Sequence, residues 1–280
     1  MNYDITDEEI SLAEREVLRK GESFNDEQKT FIKCLKSCCV QAYAGTGKTT
    51  SIVGKLHVLA QKRIWKNDRG ICVISHTNVA VDEIKKHVAR YYPEIMLYPN
   101  FVGTIQEFVN KFLFIPYLNS KGLKIKIQDN TRFINNNLID GPLKKRYDDY
   151  LKSKIKHSSG YYKEEFFCSL NSLFFYNQKL YTAKQQEFKE LATKKFPQNL
   201  VEDGFKKIIL NLHKEGLFLF IESFIYGYEY FQQYPILKDL ISQRFQFVFL
   251  DEAQDCSEKQ LKVLEGLFNN DNVVFQHYHY

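Results

Sequence analysis

The chain has 280 residues, 44% hydrophobic and 26% charged, with a net charge of +5. That is the composition of a globular protein with enough chain for one or two cores, and it excludes a disordered or fibrous one. No apolar run is long enough to span a bilayer. The acidic start, Asp4-Ile5-Thr6-Asp7-Glu8-Glu9, lacks the basic-then-apolar plan of a secretory leader, so a cytoplasmic setting is expected. The six cysteines (34, 38, 39, 72, 168 and 256) bring no histidine pair with them, and reduced, mostly buried thiols are expected rather than a metal site or a disulfide framework.

Residues 5–20 read as an amphipathic helix, with Ile5, Ile10, Leu12 and Val17 spaced among acids and bases. Asn25 or Asp26 can cap a second helix running to about Leu35. Cys38 to Gln41 is a short strand. It feeds the turn Ala42-Tyr43-Ala44-Gly45-Thr46-Gly47, and a helix begins at Lys48 that would bury Ile52, Val53, Leu56 and Leu59. Ile71-Cys72-Val73-Ile74 is a continuous apolar run of the kind found in buried parallel strands. Asn78 opens a helix through Val81, Ile84 and Val88. Phe101-Val102 is a strand before Gly103-Thr104, and another helix starts near Gln106. From about 112 to 205 the strand-like runs vanish and Lys, Asn, Tyr and Phe dominate, which reads as a mostly helical insertion. Phe247 to Leu250 and Val273 to Phe275 then restore the strand pattern. Strands alternating with helices imply a parallel α/β sheet with right-handed crossovers.

Charge is unevenly placed. Residues 111–195 hold 17 Lys and Arg against 8 Asp and Glu, and 15 aromatics lie among them. Bases beside rings on which nucleobases can stack point to a polyanionic, single-stranded partner for this segment.

Two stretches carry chemistry. Ala44-Gly45-Thr46-Gly47-Lys48-Thr49 is a P-loop. Its backbone N–H groups and the following helix N-terminus would cradle phosphates, Lys48 would reach the β- and γ-phosphates, and the Thr49 hydroxyl would ligate Mg²⁺. Asp251-Glu252 closes an apolar strand, where Asp251 would hold the metal and Glu252 would position and deprotonate an attacking water.

Taken in order, these and four further stretches resemble the UvrD/Rep/PcrA-like DNA helicases of superfamily 1. Phe249-Leu250-Asp251-Glu252-Ala253-Gln254-Asp255 resembles the family's Asp-Glu-x-Gln-Asp signature. Phe24-Asn25-Asp26-Glu27-Gln28 is similar to the Q motif, and Ser75-His76-Thr77-Asn78-Val79-Ala80 to motif Ia. Gly103-Thr104-Ile105-Gln106-Glu107-Phe108 resembles the Gly-Thr-(Ile/Phe)-His-x-Phe stretch, and Pro235 to Phe245 the lead-in to motif II. The resemblance spans about 24 to 275.

It implies a RecA-like P-loop parallel sheet flanked by helices over 1–111 and 206–280, with an inserted, mostly helical DNA-binding subdomain over 112–205. ATP and Mg²⁺ are the implied cofactors. Gln28, Ala44, Gly45, Thr46, Gly47, Lys48, Thr49 and Thr50 would form the nucleotide pocket, with Gln28 reading adenine. Lys48, Asp251, Glu252 and Gln254 would be catalytic, and Thr49 and Asp251 would hold the metal. His76, Thr77, Asn78, Gly103, Thr104 and Gln106 would touch single-stranded or partly duplex DNA.

The sequence departs from the pattern at Ala42, at Gln106 in place of a frequent histidine, and at His76 in place of a frequent aromatic. Thr77 to Asp82 is also similar to the Upf-type RNA/DNA branch. The family's Gly-Asp-x-x-Gln stretch and second RecA-like domain do not follow within 280 residues. The expectation is therefore the N-terminal portion of an ATP-dependent helicase or translocase. The alternatives are an ATP- and DNA-binding module without turnover, or an ATPase partner of a nuclease in repair or phage defence.

Overall fold

The computed structural model describes residues 4–41, 46–62, 69–127, 173–176, 179–182, 210–211, 213–218, 220–268 and 271–279. The chain divides into two compact units, one made of Met1–Phe112 with Phe231–Tyr280 and the other of Leu113–Tyr230.

The first unit is built on a five-stranded sheet. Its strands are β1 (Cys38–Gln41), β2 (Gly70–Ser75), β3 (Phe101–Thr104), β8 (Phe245–Leu250) and β9 (Val274–His279), in the order β1-β9-β8-β2-β3 with every pairing parallel. All six residues of β2 are buried, and five of the six in β8. Both faces of the middle of the sheet are therefore covered, which is why those segments read as unbroken apolar runs. Ile71, Val73, Phe247 and Phe249 join a cluster with α1 (Asp7–Val17), α2 (Asp26–Lys33), α3 (Lys48–Lys62) and α4 (Asn78–Tyr91). Phe108 of α5 (Ile105–Val109) anchors a second set of rings, packing against Phe101, Phe112, Phe245 and Phe268. Phe268 closes α9 (Glu258–Phe268).

Local chemistry explains the boundaries. Thr6, Asn25 and Thr104 each accept a bond from the N3 amide while Glu9, Gln28 and Glu107 bond back to the cap amide, giving three capping boxes at the starts of α1, α2 and α5. Thr77 caps α4. In α3, a Cβ on Gly54 would stand 2.5 Å from the Phe24 ring and 3.3 Å from Ile32 Cδ1. A residue that weakens a helix interior is thus what lets α2 approach α3 so closely. Arg69 binds the carbonyls of Ser242, Phe245 and Asn272 through Nη2. One guanidinium therefore ties the end of α8 (Ile236–Arg244) to β8 and to the chain entering β9.

The strands fall where the sequence places them, with two differences. β9 continues to His279, pairing Gln276 to His279 with β1 and Val274 to His277 with β8. The helix expected from Gln106 begins at Ile105, turns into a π-helical stretch over Asn110–Phe114, and resumes as α6 (Ile115–Ser120).

In the second unit, a short parallel pair joins β4 (Lys126–Ile127) to β7 (Leu217–Phe218), and β5 (Leu173–Tyr176) and β6 (Lys179–Thr182) form an antiparallel hairpin. The hairpin lies inside the stretch read as mostly helical, most of which falls outside the described residues. α7 (Phe220–Gln233) brings Tyr226 into a stack on Tyr117, 5.5 Å apart and 11° from parallel, over the buried trio Phe114, Leu118 and Phe218. Phe112, Phe114 and Tyr117, counted among the basic segment's aromatics, are thus spent on packing. Tyr147 and Tyr161 lie outside the described residues. No helix among the described residues is long and apolar enough to cross a membrane.

His57 of α3 is buried, and neither ring nitrogen has a hydrogen-bond partner among the described residues. Its ring stands edge-on to Tyr92 at 4.9 Å and tilted to Tyr91 at 5.5 Å. Burial holds its pKa below the usual 6.5, against an opposing pull from Glu16. A base whose pKa falls on folding contributes stability that is intact above the unfolded value and lost as pH drops below it. His57 is therefore expected to depress the melting temperature as pH goes from 7 towards 5, so the difference in melting temperature between His57→Phe and wild type should move in the variant's favour across that range. A difference that stays constant would assign any change with pH to other groups.

Candidate functional site

Parallel pairing puts the C-terminal ends of all five strands at one edge of the sheet. β2 and β3 end in register, with Ser75 opposite Thr104. The chain leaving β8 makes one further sheet bond, from Asp251 N to Ile74 O at 2.8 Å. It then turns sharply at Glu252, whose φ of 55° and ψ of 45° place a side-chain-bearing residue in the left-handed region. Such a conformation costs of order 1–3 kcal/mol and persists only where the surroundings hold it. Here the surroundings are α3 and the 3₁₀ turn Ala253–Asp255.

Four polar contacts build the centre. Lys48 Nζ stands 2.9 Å from Glu252 Oε2, and its side chain is nearly sealed from solvent. Gln254 Nε2 donates to the same carboxylate oxygen. Thr49 Oγ1 donates to Asp251 Oδ2 at 2.9 Å. Gln28 Nε2 donates to Thr46 O at 3.2 Å. Gly47 follows with φ of +79°, and a Cβ there would meet the Gln28 amide at 2.7 Å. Glycine is thus required at 47 for two reasons, the backbone angle and the closeness of Gln28.

Asp251 is fully buried, and its Oδ1 has no hydrogen-bond partner among the described residues. Burial raises its pKa to about 6, with the Thr49 hydroxyl pulling the other way. A carboxylate oxygen left without a donor beside a threonine hydroxyl, with an ammonium close by on Glu252, is a donor set suited to a hard divalent cation carrying a phosphate.

The expected residues fall into distinct groups. Gln28, Thr46, Gly47, Lys48, Thr49, Asp251, Glu252 and Gln254 are brought together, and Thr50 follows in the first turn of α3. Ala44 and Gly45 lie outside the described residues. His76 and Thr77, between β2 and α4, and Asn78, the first residue of α4, are exposed, beside Val79 at 78% exposure. Gly103 and Thr104 are buried. Glu107 Oε2 would be 2.5 Å from a Cβ on Gly103, and the Thr104 hydroxyl caps α5. The half-buried Gln106 bonds Asn110 Oδ1 at 3.0 Å.

Lys55 was not picked out by the motif reading. It is a lysine inside a helix buried on nearly every side, two turns after Lys48, and that mismatch between side chain and surroundings is the signal that could have flagged it.

Comparison with known proteins agrees with this geometry. The family model described as the UvrD/REP helicase N-terminal domain matches residues 24–276. The chain is similar to the Gabija protein GajB of Bacillus cereus (strain HuB5-5), with 23% identity over 266 residues covering 80% of this chain. It spans 37% of that relative's length.

The raised pKa of Asp251 has a consequence for stability. An acid whose pKa rises on folding contributes stability that is complete below 3.8 and lost as pH climbs through about 6. Asp251→Asn, neutral and of the same shape, is therefore expected to stabilise the ligand-free protein at pH 8 by about 1–3 kcal/mol, and by nothing at pH 3.5. Chemical denaturation at the two pH values measures this, and an Asn variant less stable at pH 8 would contradict it.

Proposed function

We propose that the chain, which belongs to the UvrD/REP helicase N-terminal domain family, binds Mg-ATP at the carboxyl edge of its sheet and uses its hydrolysis to act on single-stranded or partly duplex DNA. One observation carries the reading. Lys48 and Thr49 at the start of α3 meet Glu252 and Asp251 after β8, more than 200 residues along the chain.

In this reading the Lys48 ammonium leaves Glu252 to neutralise phosphate oxygens. That frees Glu252 to orient the attacking water and take its proton. Gln254 holds the carboxylate in place during the exchange. Thr49 and Asp251 would hold Mg²⁺, which supplies charge neutralisation on the phosphates when bound. Gln28, whose amide oxygen already accepts from the Asn25 amide and whose nitrogen donates to Thr46 O, would offer its second N–H and remaining lone pair to the edge of the adenine. The loop residues Ala44 and Gly45, with Thr46, Gly47 and Thr50, complete the phosphate cradle.

Exposed His76, Thr77 and Asn78 stand on the same sheet edge and form the DNA contact, with the His76 ring available for stacking. Gly103 and Thr104 serve it indirectly by shaping the turn that presents Gln106. The assignment of residues 112–205 as an inserted DNA-binding subdomain, between sheet parts at 1–111 and 206–280, belongs to the same proposal. So does a cytoplasmic setting. A polypeptide that supplies a second motor domain or a nuclease is the proposed partner.

Calorimetry and a phosphate-release assay test the site directly. Lys48→Ala is expected to abolish Mg-ATP binding. Glu252→Gln is expected to keep binding while cutting turnover by about 10²-fold or more. Turnover by the wild type should rise with single-stranded DNA. Undiminished ATP affinity in Lys48→Ala would remove the assignment. ATP and DNA binding without any turnover would leave a binding module in place of an enzyme.

A further inference from the structure

Lys55 is completely buried, yet it forms no salt bridge among the described residues. Its ammonium bonds the carbonyls of Phe31, at 2.8 Å, and of Cys34. Those carbonyls close α2, and α2 carries Gln28. Its nitrogen also lies 4.6 Å from the centre of the Phe31 ring. Gln276 of β9 adds a second donor to Cys34 O, at 2.9 Å.

Burying an ammonium is costly unless it is satisfied. The last carbonyls of a helix lack their usual i+4 donors and carry its negative dipole end, so they are a suitable place to satisfy one, Phe31 O accepting from Lys55 as well as from the Cys34 amide at 3.1 Å. The same burial pulls the pKa of Lys55 down to about 7.

The placement has a consequence for the nucleotide pocket. Lys48 and Lys55 are seven residues apart on α3, two turns or about 10 Å along its axis. At the first of these turns, Gln28 of α2 touches the loop at Thr46 O. At the second, Lys55 holds the far end of α2. Between them, Gly54 lets Phe24 and Ile32 close onto α3. α2 is thus braced on the phosphate-binding helix at both ends.

We infer that Lys55 is a positioning residue for base recognition, its bonds to Phe31 O and Cys34 O fixing α2 so that the Gln28 amide is presented at a set distance from the phosphate cradle. This rests on Gln28 reading adenine, as proposed above. A lysine that only filled the core would, on removal, weaken every ligand of the pocket alike. A positioning lysine affects the base and leaves the phosphates alone.

The test is calorimetric titration of the full chain with Mg-ATP and with Mg-tripolyphosphate, which has the phosphates and no base. Wild type, Gln28→Ala, Lys55→Met, Lys55→Arg and the Gln28→Ala/Lys55→Met double variant are compared. Lys55→Met is expected to weaken ATP roughly tenfold, the size of a lost charge-assisted bond, and to leave tripolyphosphate within about twofold of wild type. Lys55→Arg should recover part of the loss, and the double variant should bind ATP no worse than Gln28→Ala alone.

Equal losses for both ligands, unchanged ATP affinity, or losses that multiply in the double variant would overturn the inference. Gln28→Ala binding ATP as wild type does would remove the adenine reading and the inference with it. Gln28→Ala defective beside an unaffected Lys55→Met would remove the inference alone.

If Lys55→Met does not fold, pH replaces it. Cys34 and Cys38 are the titratable groups that act on Lys55. Raising pH from 6.5 to 8.5 neutralises the ammonium and weakens its bonds. The preference for ATP over tripolyphosphate should then shrink in wild type and stay flat in Gln28→Ala. A constant preference in wild type would overturn the inference.

Discussion

Two carboxylates at the end of a strand buried on both faces cannot stand there unanswered, and the rest of the site follows from how they are answered. Asp251 has lost its water, and Glu252 is held in a left-handed turn that a side chain adopts only under constraint. The hydroxyl of Thr49 and the ammonium of Lys48 meet them from the first turn of α3. α3 can be in that place only because β1, which leads into it, is separated from β8 by the single strand β9. Sheet order thus fixes the distance between an ammonium and a carboxylate that are remote in sequence. The arrangement remains incomplete in electrostatic terms. Among the described residues Asp251 keeps one oxygen without a donor, and burial raises its pKa. In the function proposed above, a cation and a phosphate would restore the stability given up at this point.

Much of this frame was legible in the sequence because the chemistry is local. The run Phe247 to Leu250 could only be a strand covered on both faces. Gly47 before Lys48 announced a turn into a helix, and Asn25 or Asp26 announced the start of α2, without the bond by which Gln28 closes the capping box. The polar contacts on the far side of α3 were not legible, because they are made between residues with no common motif. Lys55 bonds carbonyls 21 and 24 residues before it, and nothing in the spacing says that those carbonyls end a helix beside it. Gly103 and Thr104 show the reverse case. The motif singles them out, and what the structure adds is local: one leaves room for Glu107 and the other caps α5. The hairpin of β5 and β6 escaped notice because Leu173 to Tyr176 is a short, unbroken apolar and aromatic run, whose periodicity does not separate a strand from a helix.

The first 23 residues precede the family match, and the core begins before that match does. Ile5, Ile10 and Ala13 are buried in the same cluster as Leu56 and Leu59 of α3. The acids of α1 reach three different helices. Asp7 pairs with Lys33 of α2 at 2.6 Å and Glu9 with Lys62 of α3 at 2.8 Å. Glu14 accepts from the Phe24 amide at 2.9 Å and lies 3.6 Å from Lys29, and Glu16 bonds Tyr91 of α4. Pairs of this kind, the exposed Asp7–Lys33 above all, contribute little one by one. Their value is geometric, because α2 is only eight residues long and an isolated helix of that length would not hold its shape in water. It is held by α1 along one side and by Lys55 and Gln276 at its end. The element that carries Gln28 therefore depends for its position on residues at both ends of the chain, Asp7 and Glu14 near one and Gln276 near the other.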